Sequence, residues 1–175
     1  RSRASDGCQV WKYNYSHDKW TELLGPHPVA DLSAGFGDSK TIAASIIKEF
    51  KGKLYIGTWN TPQEIGGEIW RYDGELWEQV VGRNAATKGG FNDSHNNALW
   101  CAESFKDYLY IGTMNWDFID GGGCQVWRSA DGLTWEKVVN RGFRDFLPEN
   151  QQNFRNAYAW EMKAYKDTLY VGTFN

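Results

Sequence analysis

Cysteine, proline and methionine are scarce, at three, four and two of 175 residues. Three thiols are too few for a disulfide-stapled framework. Cys8 and Cys124 stand in the same string, Gly-Cys-Gln-Val-Trp, in different repeats, so no bridge between them is expected. Cys101 lies elsewhere in its repeat, and all three read as free, buried thiols. No apolar run approaches the roughly 20 residues that a membrane helix needs, so no membrane insertion is expected. Charge of one sign is missing too. Nineteen basic and 22 acidic residues leave a net charge of −3, with no drive toward nucleic acid. No segment carries a sustained 3.6-residue apolar period, which argues against a helical fold. The three histidines, His17, His27 and His95, show no metal-ligand spacing, and no nucleophile–base pattern stands out. Neither a cofactor nor a metal is expected. No signal peptide is visible, and the chain starts at Arg1 rather than Met, which reads as a processed or partial chain.

What is abundant is aromatic: 16% of the residues, with ten tryptophans. They fall into an internal repeat. Leu54-Tyr55-Ile56-Gly57-Thr58-Trp59-Asn60 returns as Leu109-Tyr110-Ile111-Gly112-Thr113-Met114-Asn115 and as Leu169-Tyr170-Val171-Gly172-Thr173-Phe174-Asn175. Gln9-Val10-Trp11, Glu68-Ile69-Trp70 and Gln125-Val126-Trp127 form a second series, and Trp20, Trp77 and Trp135 head a third. A fourth runs Gly35-Phe36-Gly37-Asp38, Gly90-Phe91-Asn92-Asp93 and Gly142-Phe143-Arg144-Asp145. Successive copies lie 55 to 60 residues apart, the last step of the fourth series, from Gly90 to Gly142, being shorter at 52.

Each period holds four short runs rich in Val, Ile, Tyr and Trp, bounded by Gly and Asp, which read as strands. Residues 40–50 come nearest to a helix but align with the strand at 98–105. Four antiparallel strands per period predict an all-β fold, a β-propeller of four-stranded blades. Residues 40–82 and 96–140 are two whole blades. Residues 7–25 supply strands three and four of a split blade, and residues 156–175 its strands one and two. Blades stack face to face, so both faces must be apolar, and eight tryptophans (11, 20, 70, 77, 100, 127, 135 and 160) sit at repeating positions suited to that core. Three blades are too few to close a ring. Completion by a second chain is therefore expected, preferably a homo-oligomer in which two copies make a six-bladed C2 ring, or else as one piece of a longer propeller.

The turn Ser129-Ala130-Asp131-Gly132-Leu133-Thr134-Trp135 resembles the Asp-box of propellers that carry Ser-x-Asp-x-Gly-x-Thr-Trp between strands three and four. It is one residue shorter than that box, and the copies at 72–77 and 16–20 are more degenerate. The resemblance implies a propeller with a structural fold-back turn and no activity of its own. Sialidases share the architecture, but their arginine triad, tyrosine nucleophile and acid/base pair have no counterpart here.

In a four-stranded meander the tight turns share one face of the ring and the long connections share the other. Long loops on a rigid scaffold carry function. The expected ligand-binding residues are therefore Trp59, Asn60, Asn115, Trp116, Asp117, Asp120, Phe146 and Asn175. Trp beside Asn and Asp suits a sugar ring, whose C–H bonds stack on the indole while its hydroxyls meet the polar groups. The leading expectation is a non-enzymatic, lectin-like carbohydrate binder, extracellular or at the cell surface. A protein-interaction scaffold is the alternative. A glycosidase using Glu103 and Glu161 is a third. Asp38, Asp93 and Asp145 recur after Gly-Phe, as turn-closing residues would. Asn96 and Asn156 begin innermost strands and either face a channel or satisfy backbone groups. Asp117 and Asp120 precede a glycine run but match no calcium-loop spacing. Asn14-Tyr15-Ser16 and Asn92-Asp93-Ser94 are glycosylation sequons.

Overall fold

Alternating aromatic and aliphatic residues with tight polar turns between them leave the backbone one economical solution, the antiparallel hairpin. The computed structural model describes residues 7–28, 32–61, 65–117, 122–152 and 156–175, and among them the regular structure is β-strand with short 3₁₀ turns. Strands β1 (Val10–Asn14) and β2 (Lys19–Leu24) form a separate hairpin. β3 (Thr41–Phe50), β4 (Lys53–Asn60), β5 (Ile69–Tyr72) and β6 (Trp77–Val81) form an antiparallel meander. β7 (Ala98–Phe105), β8 (Tyr108–Met114), β9 (Val126–Ser129) and β10 (Glu136–Val139) form a second. β11 (Tyr158–Tyr165) and β12 (Thr168–Phe174) form a closing hairpin. The expected all-β class holds, and residues 41–50 are indeed strand.

The meanders join at single points, Trp59 opposite Ala98 and Met114 opposite Tyr158, so β3 to β12 make one strongly curled antiparallel sheet. Strands β3, β7 and β11 lie side by side along its inner edge. Each carries a β-bulge at the same point, leaving Ser45, Trp100 and Trp160 outside the ladder. A bulge bends its strand and re-aims a side chain.

The core lies between neighbouring layers, so each inner sheet is apolar on both faces. Ile46, Phe50, Tyr55, Ile69, Leu99, Leu109 and Ile111 fill the space between the two meanders. Val10, Leu23, Leu24, Phe36 and Ile56 lie between the first hairpin and the first meander. Val126, Val139, Ala159 and Met162 lie between the second meander and the last hairpin. Cys8, Cys101 and Cys124 are free. Burial pushes the Cys8 thiol up to about 11 and the other two up to about 12, which makes them inert.

One joint recurs three times and fixes where the long connections lie. Gly67 N–H donates to Asn96 O at 2.8 Å, and Gly90 N–H donates to Gly67 O at 2.7 Å. Cys8, Gly35 and Thr41 repeat the pair at 2.8 and 2.8 Å; Cys124, Gly142 and Asn156 repeat it at 2.8 and 2.9 Å. Gly90 and Gly142 are left-handed, at φ 63 and 62, and a Cβ there would come within 3.0 and 2.8 Å of a backbone carbonyl. Only glycine fits. The following phenylalanine stacks on the next layer. Phe36 lies 4.8 Å from Trp70 and edge-on to Trp77, and Phe91 lies 4.6 Å from Trp127 and edge-on to Trp135. These four tryptophans serve the core as expected.

The opposite end gathers the tight turns, where Lys51 Nζ of the β3–β4 turn reaches Ala130 O of the β9–β10 turn at 2.7 Å. In that second turn Asp131 accepts the N–H groups of Leu133 and Thr134 at 2.8 and 2.7 Å, with Gly132 at φ 75. Those bonds pull the Asp131 carboxyl down to about 2.

A comparison of repeats exposes one imperfect joint. Asn96 is fully buried and fully bonded. Its Nδ2 donates to Gly90 O and Gln125 Oε1, and its Oδ1 accepts from Thr113 and Asn115. Asn156 likewise donates to Gly142 O at 2.9 Å, so both asparagines serve the scaffold. Thr41 holds this place in the first repeat. Among the described residues its buried hydroxyl and the buried Nδ2 of Asn60 have no partner. Thr41→Asn is expected to stabilise the fold by about 1 kcal/mol, and Asn96→Ala to cost about 2–3 kcal/mol. Urea midpoints check both; an Asn96→Ala midpoint equal to wild type contradicts this account of the joint.

Candidate functional site

The joints deliver the β4–β5, β6–β7, β8–β9 and β10–β11 connections to one end of the curled sheet, together with the ends of the inner strands. Two features meet there. The first is aromatic. Trp100 lies 5.9 Å from Trp59, 4.9 Å from Tyr158 and 5.2 Å from Trp160. Phe174 packs at 5.4 Å against both Tyr158 and Trp160. Trp116 stands edge-on to Tyr158 at 5.5 Å, and its Nε1 donates to the Tyr158 hydroxyl at 3.3 Å. The platform is accessible, with Trp116, Trp160 and Phe174 exposed by 41%, 48% and 49%. Trp100 and Trp160 are the bulged residues, which is why their rings leave the layer packing and collect here.

The second feature is polar, and it takes Asn115 and Asp117, the chain neighbours of Trp116. A cavity of about 360 Å³ opens over the second meander. Asp93, His95, Asn115 and Asp117 line one wall, with Gln125 beneath, and Lys137, Asn140 and Arg141 line the other. His95 Nδ1 lies 3.2 Å from Asp93 Oδ1 and 3.5 Å from Asp117 Oδ2. Asn115 Oδ1 accepts the Asp117 N–H at 2.9 Å, which holds that carboxylate at the rim. Gln125 is fixed from both sides. Its Oε1 accepts from Trp127 Nε1 at 2.9 Å, and its N–H donates to Thr113 Oγ1 at 2.9 Å.

The sequence-predicted residues divide between these features and their support. Trp59 joins the platform half-buried, Trp116 stands at its edge, and Asp117 lines the cavity. Asn60 and Asn115 are buried beneath, where Asn60 accepts from Thr58 Oγ1 at 2.6 Å. Phe146 is exposed beside Phe143, 6.3 Å away, and Asn175 is exposed at the end of β12. Asp120 lies outside the described residues. Asp38 and Asp93 close turns, accepting the N–H of Lys40 and of His95, whereas Asp145 pairs with Arg141 at 3.2 Å.

Reasoning from sequence missed Trp100, Tyr158, Trp160 and Phe174 as a surface, and the whole Lys137–Asn140–Arg141 wall. One signal was present. The position of Trp100 and Trp160 holds Ser45 in the first repeat, so packing does not demand a large ring there.

Glu103 plays a different part from the expected acid. Burial raises its carboxyl, but the Lys48 ammonium at 2.5 Å, the Ala164 N–H and Lys163 outweigh burial and hold it below the ordinary glutamate range. A glycosidase acid needs the opposite shift. Lys48, Glu103 and Lys163 are equivalent positions of β3, β7 and β11, so the trio ties the inner strands together. The folded-state value is depressed, so this stabilisation is complete above the unfolded value near pH 4.3 and is lost as pH falls through the lower folded value. Glu103→Gln is expected to cost about 1 kcal/mol at pH 7. The gap from wild type closes as pH falls through the lowered folded value, where Glu103 is itself protonated. Urea titrations from pH 7 into the acid range check it; a gap that does not narrow as Glu103 takes up its proton contradicts the assignment.

No protein-family model matches the chain, and no curated protein matches it significantly. What the molecule does is therefore argued from this platform and this cavity.

Proposed function

We propose that the chain is an arc of a β-propeller, built of four-stranded blades, and that it is a non-enzymatic binding module for carbohydrate. The observation that carries the binding reading is an exposed platform of Trp59, Trp100, Tyr158, Trp160 and Phe174 edged by Trp116, whose chain neighbours Asn115 and Asp117 line a polar cavity. A pyranose has two kinds of surface. Its axial C–H faces lie well on indole rings, and its hydroxyls need both donors and acceptors. Platform and cavity together offer both, and the cavity volume suits a single sugar ring. Burying one pyranose face on such rings contributes on the order of 1–2 kcal/mol, so weak single sites gain from linked sugars.

The propeller reading draws support from three features. Two four-stranded meanders stack with apolar faces between them, their first strands share the inner edge, and the Asp131 turn has the fold-back geometry of an Asp-box.

The same reading gives a place to a second copy of the chain. Phe36 and Phe91 each cover two tryptophans of the next layer, whereas Phe143 packs in part against the core cluster of Cys124 and Val126 and, among the described residues, meets the ring of Phe146 and no tryptophan. Trp11 and Trp20, the matching pair, are exposed by 49% and 62%. A homo-oligomer that seats Phe143 of one copy on Trp11 and Trp20 of the other reproduces the two internal joints.

Two measurements follow. A glycan array and calorimetry are expected to find carbohydrate binding, weakened at least tenfold by Trp160→Ala, with the melting temperature within a few degrees of wild type. Retention of full affinity in that variant removes the platform from the site. Light scattering is expected to give twice the chain mass, lost in Phe143→Ala; a wild-type monomer at all concentrations ends the second-copy reading.

A further inference from the structure

The place that the cavity takes over the second meander is bridged over the first by an ion pair. Asp38 and Asp93 occupy the same place in the two repeats. Asp38 accepts the Lys40 N–H at 2.9 Å, and Asp93 the His95 N–H at 3.0 Å. Their carbonyls accept from Thr41 and Asn96, both at 3.0 Å. In the first repeat a guanidinium takes the second carboxylate oxygen: Arg83 Nη2 donates to Asp38 Oδ2 at 2.7 Å.

The second repeat has an arginine at the matching place, two residues after its last strand, but it does not make this bond. Arg141 turns to Asp145 at 3.2 Å and adopts a left-handed backbone, φ 51. Lys137, on the same wall, lies over the Trp127 ring at 5.3 Å and reaches Asn140 Oδ1 at 3.5 Å. Asp93 Oδ2 is left with neutral amides, Gln125 Nε2 at 3.2 Å and Asn115 Nδ2 at 3.4 Å. Among the described residues neither lysine nor arginine reaches Asp93. The residue at the base also changes, from Glu68 in the bridged repeat to Gln125 in the open one. Asp117 adds a second carboxylate to the rim.

The chain thus sets a guanidinium on the second oxygen of Asp38 in one repeat and withholds it from that of Asp93 in the other, where His95 lies 3.2 Å from the first oxygen, and the space withheld is the cavity. We propose that this cavity takes a cationic nitrogen from the ligand, the ammonium of an amino sugar, which sits on Asp93 as Arg83 sits on Asp38. The inference rests on the carbohydrate reading above and names its sugar class. An ammonium is compact and offers three donors, so it reaches Asp93 while the ring carrying it fills the cavity and its hydroxyls meet Asn140.

Calorimetry with three tetrasaccharides tests this: β-1,4-glucosamine, its fully N-acetylated form and the neutral glucose analogue. The free amine is expected to bind at least tenfold more tightly than the other two, in line with a charge-assisted hydrogen bond. Acetylation removes the charge from the ligand without touching the protein. Asp93→Asn keeps an acceptor for the turn and is expected to bring the three affinities within about twofold of one another. Equal binding of all three by wild type overturns the ammonium while the carbohydrate reading stands. A free-amine preference that survives in Asp93→Asn also overturns it. Binding of an arginine peptide with none of the sugars overturns both the ammonium and the carbohydrate reading.

Discussion

Everything at the functional end depends on a joint in which two backbone N–H groups and one glycine tie three segments together. The connection entering a layer, the residue that leads into its inner strand and the loop between the second and third strands of the layer before it converge there. Backbone hydrogen bonds are each worth about 1 kcal/mol net, but leaving them unmade in a buried joint costs more. The left-handed glycine lets the connection come within van der Waals contact of the inner strand. The phenylalanine after it then has no freedom, and it falls on the tryptophan of the next layer. A local backbone constraint thereby sets the spacing between layers, which is why the aromatic stacking distances differ so little between the two complete joints, 4.8 and 4.6 Å.

The site follows from small departures from that repeated plan. Where the repeats agree, the residues are structural: Thr58 and Thr113 each accept a backbone N–H, and the tryptophans Trp70 and Trp127 each donate an indole N–H to the residue two before them. Where the repeats differ, the surface changes character. Ser45 gives way to Trp100 and Trp160 at the bulge, and a surface of rings appears. The arginine after the fourth strand bonds to Asp38 in one repeat and to its own loop in the other, and a cavity appears. The scaffold pays for neither change, since the bulge and the joint keep their backbone geometry in all three copies.

The sequence made the repeat, the four strands per period and the structural part of Asn96 and the Gly-Phe pairs legible, because these are periodic and local. Turn length alone also put Trp59, Trp116 and Asp117 at the long connections; the structure has Trp59 in the ring platform, Trp116 at its edge and Asp117 in the cavity wall. It did not show that Asn60 and Asn115 are buried, because an asparagine at a strand end reads the same whether it faces solvent or closes a polar network. It assigned Trp100 and Trp160 to layer packing, since a bulge that turns a ring out of a sheet leaves no mark in a pattern of period two. Arg141 and Lys137 were invisible for a further reason. Their role lies in where their charges are not, and that depends on Asp145 and Trp127 holding them.

The ten tryptophans make the central claim directly measurable. In a ¹⁵N-labelled sample each indole N–H gives its own NMR signal, and titration with a bound oligosaccharide reports which rings it meets. The account predicts shifts at Trp100, Trp116 and Trp160, with Trp70, Trp77, Trp127 and Trp135 unmoved in the interlayer core. Shifts confined to those four, or to Trp11 and Trp20, would contradict it.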